Sequence, residues 1–340
     1  RSRGLGDVYK RQSEETSGLL GRDGNYTLLI WSSTMILWLF ADPMFPQLYQ
    51  RLCAAESDYA IGRMATLYPA VAWLAFLPPI LIGTLGHLDN PGLDRSGSDN
   101  ILPTMIMDVG GEWLGGLVLV AGLAALMSTM DSQLLATGSL VTRDLVPKGG
   151  SGILSRESVI VSLAVLGLLL SLWSDLSILD LGLLAFSMYA VMFPSVFSAS
   201  HFDDIDGRAV IASIAAGESV VFLAHFSPES FVGWWVEPLG PNAGPIAVIP
   251  SLLAAIIGLV SVQYACSREI RLDWLGQIVS GKIAPMLGLV AVFVLAQDFW
   301  WWEDSETWAW GLPKWIWWAA LLSMVQTGIM AKWVVKEKAR

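Results

Sequence analysis

Apolar residues in this chain fall in long blocks rather than in alternating stripes. Nine blocks reach or approach the roughly 20 residues that a helix needs to cross a hydrocarbon core. They are Tyr26–Tyr49, Met64–Leu85, Trp113–Thr142, Ser158–Ser174, Ile178–Ala199, Ala209–Phe226, Ala243–Cys266, Ile283–Phe299 and Trp315–Val335. Membrane strands would instead alternate polar and apolar positions over short segments. The pattern therefore predicts an all-α polytopic membrane protein with about nine transmembrane helices.

Composition agrees. The 340 residues are 54% hydrophobic and 15% charged, against about 25% charged in a soluble domain, and the deficit runs along nearly the whole chain. The connections between blocks sort by charge. One side carries Arg51, Arg63, Arg143, Lys148, Arg156, Arg208, Arg268, Arg271, Lys282, Lys332, Lys336, Lys338 and Arg340; the other carries Arg95 and Lys314. Positive residues collect in the cytoplasm, so the basic tail 336–340 is expected inside. The opposite connections are acidic: Asp89, Asp94, Asp99, Glu229, Glu237, Glu303, Asp304 and Glu306. Many of the 17 tryptophans sit at block ends, among them Trp234, Trp235, Trp300, Trp301, Trp302, Trp308, Trp310, Trp315, Trp317 and Trp318. That is the placement of an interfacial aromatic belt.

Several functions are excluded. A net charge of −10 argues against a nucleic-acid partner. Cys53 and Cys266 are too few for a disulfide framework, and the topology puts both at cytoplasmic ends. His87, His201 and His225 lie near helix ends, and no Cys or His cluster has metal-ligand spacing. Neither an enzyme nor an organic cofactor is expected.

An odd number of blocks with an internal C-terminus places residue 1 outside. The opening twelve residues, RSRGLGDVYKRQ, differ in texture from the rest of the chain, and no initiator Met is present. Residues 1–12 are expected to be a non-native assembly scar and residues 13–25 an external loop. Missing N-terminal helices of the same protein are expected upstream.

Three blocks carry chemistry that a lipid-facing helix would not keep. In the first, Asp42-Pro43-Met44-Phe45-Pro46-Gln47 holds two prolines without N–H groups, which frees the carbonyls of Leu39 and Asp42. This predicts either a broken helix lining a cavity or a simple kink with Asp42 capping the next turn. In the third block, Ser128, Thr129, Asp131 and Ser132 place four oxygen-bearing side chains within five residues. An intramembrane carboxylate is a functional candidate by default. Sodium, like other hard cations, favours oxygen ligands, so adjacent hydroxyls plus a carbonyl one turn earlier make half a sodium shell. Interhelical hydrogen-bond glue is the alternative. The fifth block carries Asp180, Ser187, Tyr189 and Pro194, the pattern of a second cavity-lining helix, with packing the alternative role for Tyr189. Glu218 is a lone carboxylate expected near the interface.

The run Gly122–Ala136, closed by Arg143-Asp144-Leu145, resembles the signature helix of the sodium:solute symporter family, whose members include proline, pantothenate and sugar symporters. Pro46–Ser57 resembles the end of that family's sixth core helix with its following loop, and Asn100–Pro103 fits the segment before the signature helix. The resemblance covers roughly residues 26–200. It implies a LeuT-type inverted-repeat fold, with residues 26–200 as the second five-helix repeat and 201–335 as additional C-terminal helices. It also implies a sodium site on the Ala125 carbonyl and the Ser128 and Thr129 hydroxyls. The remaining ligands would come from the first core helix. Substrate or coupling contacts would come from Asp42, Pro46, Gln47, Asp131, Ser132, Ser187 and Tyr189. Phe45-Pro46-Gln47 and Phe193-Pro194 depart from the family pattern, so the substrate class does not carry over.

The implied activity is sodium-coupled symport of a small organic solute across the plasma or inner membrane by alternating access, with sodium as coupling ion. A transporter-like membrane sensor and an inactive truncated fragment are the alternatives. A membrane enzyme would need a His, Cys or paired-carboxylate constellation at membrane depth, and the sequence offers none.

Overall fold

The described part of each of the nine expected blocks is largely helical in the computed structural model, which describes residues 27–90, 93, 95–145, 155–173, 177–202, 204–226, 247–267, 283–302, 306, 308–309 and 312–338. In chain order the helices are α1 (Leu28–Ala41), a 3-10 turn (Asp42–Met44), α2 (Pro46–Cys53), α3 (Asp58–Asp89), α4 (Arg95–Ser98) and α5 (Ile101–Leu140) with a π turn (Val141–Leu145). Then come α6 (Arg156–Trp173), α7 (Ile178–His201), α8 (Gly207–Phe226), α9 (Val248–Ser267), α10 (Ile283–Leu295), a 3-10 turn (Phe299–Trp301) and α11 (Lys314–Lys338). No β-strand occurs among the described residues.

Within a bilayer a helix satisfies its own backbone polar groups, and hydroxyl side chains begin several of these. Thr27 accepts the Ile30 N–H, Ser57 the Ala60 N–H and Ser177 the Asp180 N–H, at 3.1–3.3 Å. Among the described residues, six helices are long and apolar enough to cross a membrane, or seven if the bent pair α1–α2 is one span. The chain is thus an all-α, multi-pass membrane protein. The 18-residue α6 and 25-residue α11 cover the remaining two blocks. The expected segments 1–12 and 13–25, Trp234, Trp235, Trp310, Lys148, Arg268, Arg271, Lys282, Asp94, Glu229, Glu237, Glu303, Asp304 and Arg340 lie outside the described residues.

The best-packed part is built from α1, α7, α8 and α9. Leu37 and Ala41 of α1, Ala190 of α7, and Val248 and Leu252 of α9 form one buried cluster, and Val191, Val221 and Ala255 a second. Small residues bring α8 and α9 together, as expected where lipid offers no hydrophobic drive to association. A methyl at Gly258 of α9 would sit 2.8 Å from the Ala212 carbonyl oxygen of α8. One at Gly217 would meet Val191, with Ala255 Cβ at 3.0 Å. The outer helices pair differently: α3 on α11, α11 on α10, and α5 on α6, α2 and α3.

The helix starting at Ile101 is interrupted at Gly111, whose φ of +67° is open to glycine and costly for other residues. The kink separates residues 101–110 from the run that continues through Trp113, where the third apolar block begins.

Candidate functional site

The first block is a broken helix. α1 ends at Ala41, three residues turn as 3-10, and α2 leaves at 57° to α1. Pro43 and Pro46 explain the break, since neither can donate to the preceding turn. One detail differs from the sequence expectation. The Asp42 carbonyl is not left free, because the tighter 3-10 turn brings the Phe45 N–H to it at 3.4 Å. Nor does the Asp42 side chain cap α2, whose first residues have no side-chain cap.

The break packs against α7 through aromatic rings. Phe45 lies 4.7 Å from Tyr189 and 5.3 Å from Phe186 between centroids, Phe40 lies 4.6 Å from Phe193, and Trp38 lies 4.6 Å from Phe186. Two of the expected substrate regions, around Asp42–Gln47 and Ser187–Pro194, are thus brought together. Ser187 is fully buried and its hydroxyl donates to the Leu183 carbonyl at 2.7 Å. Tyr189 is half-buried and packs on Phe45. Asp42 and Pro46 are half-buried. The Gln47 Oε1 is buried with no hydrogen-bond partner, a polar atom whose burial is costly unless something donates to it.

The oxygen-rich run of α5 forms a second group. Ala125, Ser128, Thr129 and Asp131 are exposed and Ser132 is half-buried. Thr129 Oγ1 donates to the Ala125 carbonyl at 3.4 Å and Ser132 Oγ to the Ser128 carbonyl at 2.8 Å, the usual way a hydroxyl is made cheap on an apolar helix. The Ala125 carbonyl and the Thr129 hydroxyl therefore lie side by side. The two groups connect through α2: Gln50 Nε2 donates to the Ala136 carbonyl of α5 at 3.3 Å. No group of three or more His, Cys, Asp or Glu able to hold a metal occurs among the described residues.

Three further polar features stand apart from these two groups, and the first two have no local signature in the sequence. The first ties α10 to α1 where α10 unwinds at Gln297 and Asp298, both buried. Ser32 Oγ donates to Gln297 Oε1 at 2.8 Å, and Trp31 Nε1 to the Ala296 carbonyl at 3.4 Å. Asp298 stands at φ 38° and accepts from Trp302 Nε1 at 3.2 Å. Trp318 Nε1 caps the Leu295 carbonyl at 2.9 Å, so some belt tryptophans fasten helix ends as well. The second is Gln263 of α9, which spans the entry to α8: Oε1 accepts the Asp206 N–H at 2.9 Å and Nε2 donates to the Asp204 carbonyl at 2.8 Å. Beside it Arg208 grips Asp206 with two side-chain bonds of 2.9 and 3.1 Å and one backbone bond of 2.8 Å. These bonds hold the Asp206 carboxyl at about 2. The third is Glu218, at mid-length of α8 instead of near an end. His201, by contrast, is occupied: it stacks on Phe197 and its Nδ1 lies 2.9 Å from the Phe197 carbonyl. A cavity of about 340 Å³ between α3 and α11 is lined by Tyr68, Trp73, Phe76, Trp315 and Gln326 among others. None of the sequence-derived candidates lines it.

A helix broken at prolines and a second helix rich in oxygen-bearing side chains, joined through α2 in a multi-pass helical bundle, are features found in membrane transporters. Comparison with known proteins names the group: residues 32–202, half of the chain, match the family model of the sodium:solute symporter family, and the chain belongs to that family. It is 30% identical over 125 residues to the sodium/pantothenate symporter of Haemophilus influenzae, covering 37% of this chain and 25% of that protein. It is 28% identical over 168 residues to the osmoregulated proline transporter OpuE of Bacillus subtilis, covering 47% of this chain and 32% of that protein. The matched part thus spans about a quarter to a third of these relatives. Both are transporters and not enzymes. No solved structure matches the chain.

Proposed function

We propose that this chain supplies the second five-helix repeat (residues 26–200) and additional C-terminal helices (201–335) of a sodium-coupled symporter. It would import a small organic solute across the plasma or inner membrane by alternating access. Sodium is the coupling ion and no organic cofactor is needed. The observation that carries this reading is the Ala125 carbonyl beside the Thr129 hydroxyl on α5, with Ser128 adjacent in sequence, in a chain of the sodium:solute symporter family. Two hydroxyls and a carbonyl are half a shell for a hard monovalent cation. The family's first core helix would supply the rest.

Solute would bind at the break of α1–α2, between Asp42, Pro46 and Gln47 on one side and Ser187 and Tyr189 on the other. Asp131 and Ser132 would contribute from α5. The unpartnered Gln47 Oε1 supports a hydrogen-bond donor on the solute. The C-terminal tail is assigned to the cytoplasm on the distribution of Lys and Arg.

The test is Thr129→Ala in the complete symporter. An interaction with a charged partner contributes about 1.5–3 kcal/mol, so apparent sodium affinity for uptake should fall by about ten- to a hundredfold with expression intact. Unchanged sodium activation would remove the site assignment. Uptake measured against amino acids, carboxylates, sugars and vitamins would name the solute.

A further inference from the structure

Glu218 is the one carboxylate of α8, twelfth of its 20 residues. At 1.5 Å per residue that lies about 16 Å from one end of the helix and about 12 Å from the other, well inside a hydrocarbon core of about 30 Å. Its Oε2 is buried and has no hydrogen-bond partner.

The surroundings decide what such a group can do. α8 packs on α7 and α9, and neither carries a Lys or Arg in its length. Arg208, the only cationic side chain of α8 besides its histidine, is taken by Asp206. The titratable side chains on α7 are Asp180, Tyr189 and His201; those on α9 are Tyr264 and Cys266. Tyr189 packs on Phe45, His201 is stacked on Phe197, and Tyr264 and Cys266 are exposed. These helices therefore offer no cation to balance an ionised Glu218. A buried carboxyl without a counter-charge takes up a proton instead.

One direction of approach is marked. His225 follows Glu218 by seven residues, on the same face of α8, and its Nδ1 is also buried. Asp180 stands at the first turn of the neighbouring α7, and its carboxylate accepts from Ser177 Oγ at 2.7 Å. The titratable pair thus sits at the end of α8 opposite Arg208, the end that the distribution of positive residues assigns to the outside.

We propose that Glu218 is a proton-binding site within the membrane, loaded from the end of α8 where His225 and Asp180 sit. The proton lost by external water is held on the Glu218 carboxyl as the neutral acid. About 10 Å of helix separates Glu218 from His225, so the transfer passes through water along this face. The proposal stands apart from the sodium reading, and its test needs no transport.

The protein in lipid vesicles is treated with dicyclohexylcarbodiimide, an apolar reagent that reacts with protonated carboxyls. The carboxyl oxygen bonds to the central carbon of the reagent, the acid proton goes to its nitrogen, and the adduct rearranges to a stable N-acylurea detectable by mass spectrometry. Glu218 should be modified, with a yield that falls as pH rises, while a water-soluble carbodiimide leaves it intact. Glu218→Gln should remove the adduct, and His225→Gln should shift the midpoint of its pH dependence. If Glu218→Gln does not fold, the wild-type pH series alone decides. The proposal is overturned if folded protein is not modified at Glu218, or if the yield is the same at every pH. Protection by sodium at fixed pH would also overturn it, by making Glu218 a sodium ligand.

Discussion

The contact of α8 with α9 gives the sharpest energetic prediction. Gly258→Ala adds one methyl, 2.8 Å from the Ala212 carbonyl oxygen and 3.1 Å from Ala216 Cβ. The nearer distance is about 0.6 Å inside the 3.4 Å at which ordinary contact begins. The obstacle is backbone of the facing helix, so no side chain can swing away, and the two helices must part. Such overpacking costs about 1–3 kcal/mol. Alanine also gains about 0.8–1 kcal/mol of helix propensity over glycine, so a control must measure that gain. Gly167 of α6 serves, since a methyl there meets nothing within 4 Å. Thermal unfolding in detergent should show Gly167→Ala neutral or stabilised and Gly258→Ala below it by about 1–3 kcal/mol. The parted helices should also loosen the Gln263 clamp, seen as faster amide exchange at Asp206. Equal stabilities for the two variants would refute the close approach of α8 and α9.

Asp206 makes a pH prediction. Its carboxyl is held at about 2 by Arg208, below its ordinary 3.8. The native-state preference is therefore complete above about pH 4 and is lost as pH falls through 2. Arg208→Ala should flatten the pH dependence of the unfolding temperature between pH 4 and 2; an unchanged slope would dismiss the pair as a contributor. At Asp298, whose φ is 38°, glycine should be better tolerated than alanine by about 1 kcal/mol in thermal unfolding, although both lose the Trp302 contact. Equal losses would mean that the left-handed backbone carries no strain. Thr129→Ala, through sodium activation of uptake, tests the ion site itself.

Hydropathy places the long helices of the described residues because membrane depth is written in apolar run length, and Pro43 and Pro46 mark the break because each removes a donor. The oxygen cluster of α5 is legible for the same reason: four oxygens in five residues stand out from an apolar background. What stays hidden depends on partners distant in sequence. Gln297 and Ser32 are separated by 265 residues, and Gln263 reaches back 57 residues to Asp206; no local pattern predicts either. Glu218 is expected near the interface, yet it stands at mid-length of α8, as it already does in the block Ala209–Phe226; that expectation weighs its lone charge above its position. Gly258 and Gly217 can be read as small residues but not as contacts, since many other glycines here, such as Gly122 and Gly167, face open space.

The 57° break between α1 and α2 has a mechanical consequence. The upper arm is fastened to α7 by aromatic rings and to α10 by the Ser32–Gln297 bond. The lower arm is fastened to α5 by the Gln50–Ala136 bond. The break itself travels with α7, because Phe45 is packed on Tyr189 and Phe186. A tilt of α5 relative to α7 would therefore have to be absorbed where α2 leaves Phe45, and substituting a regular helical turn there would splint the two arms into one rod.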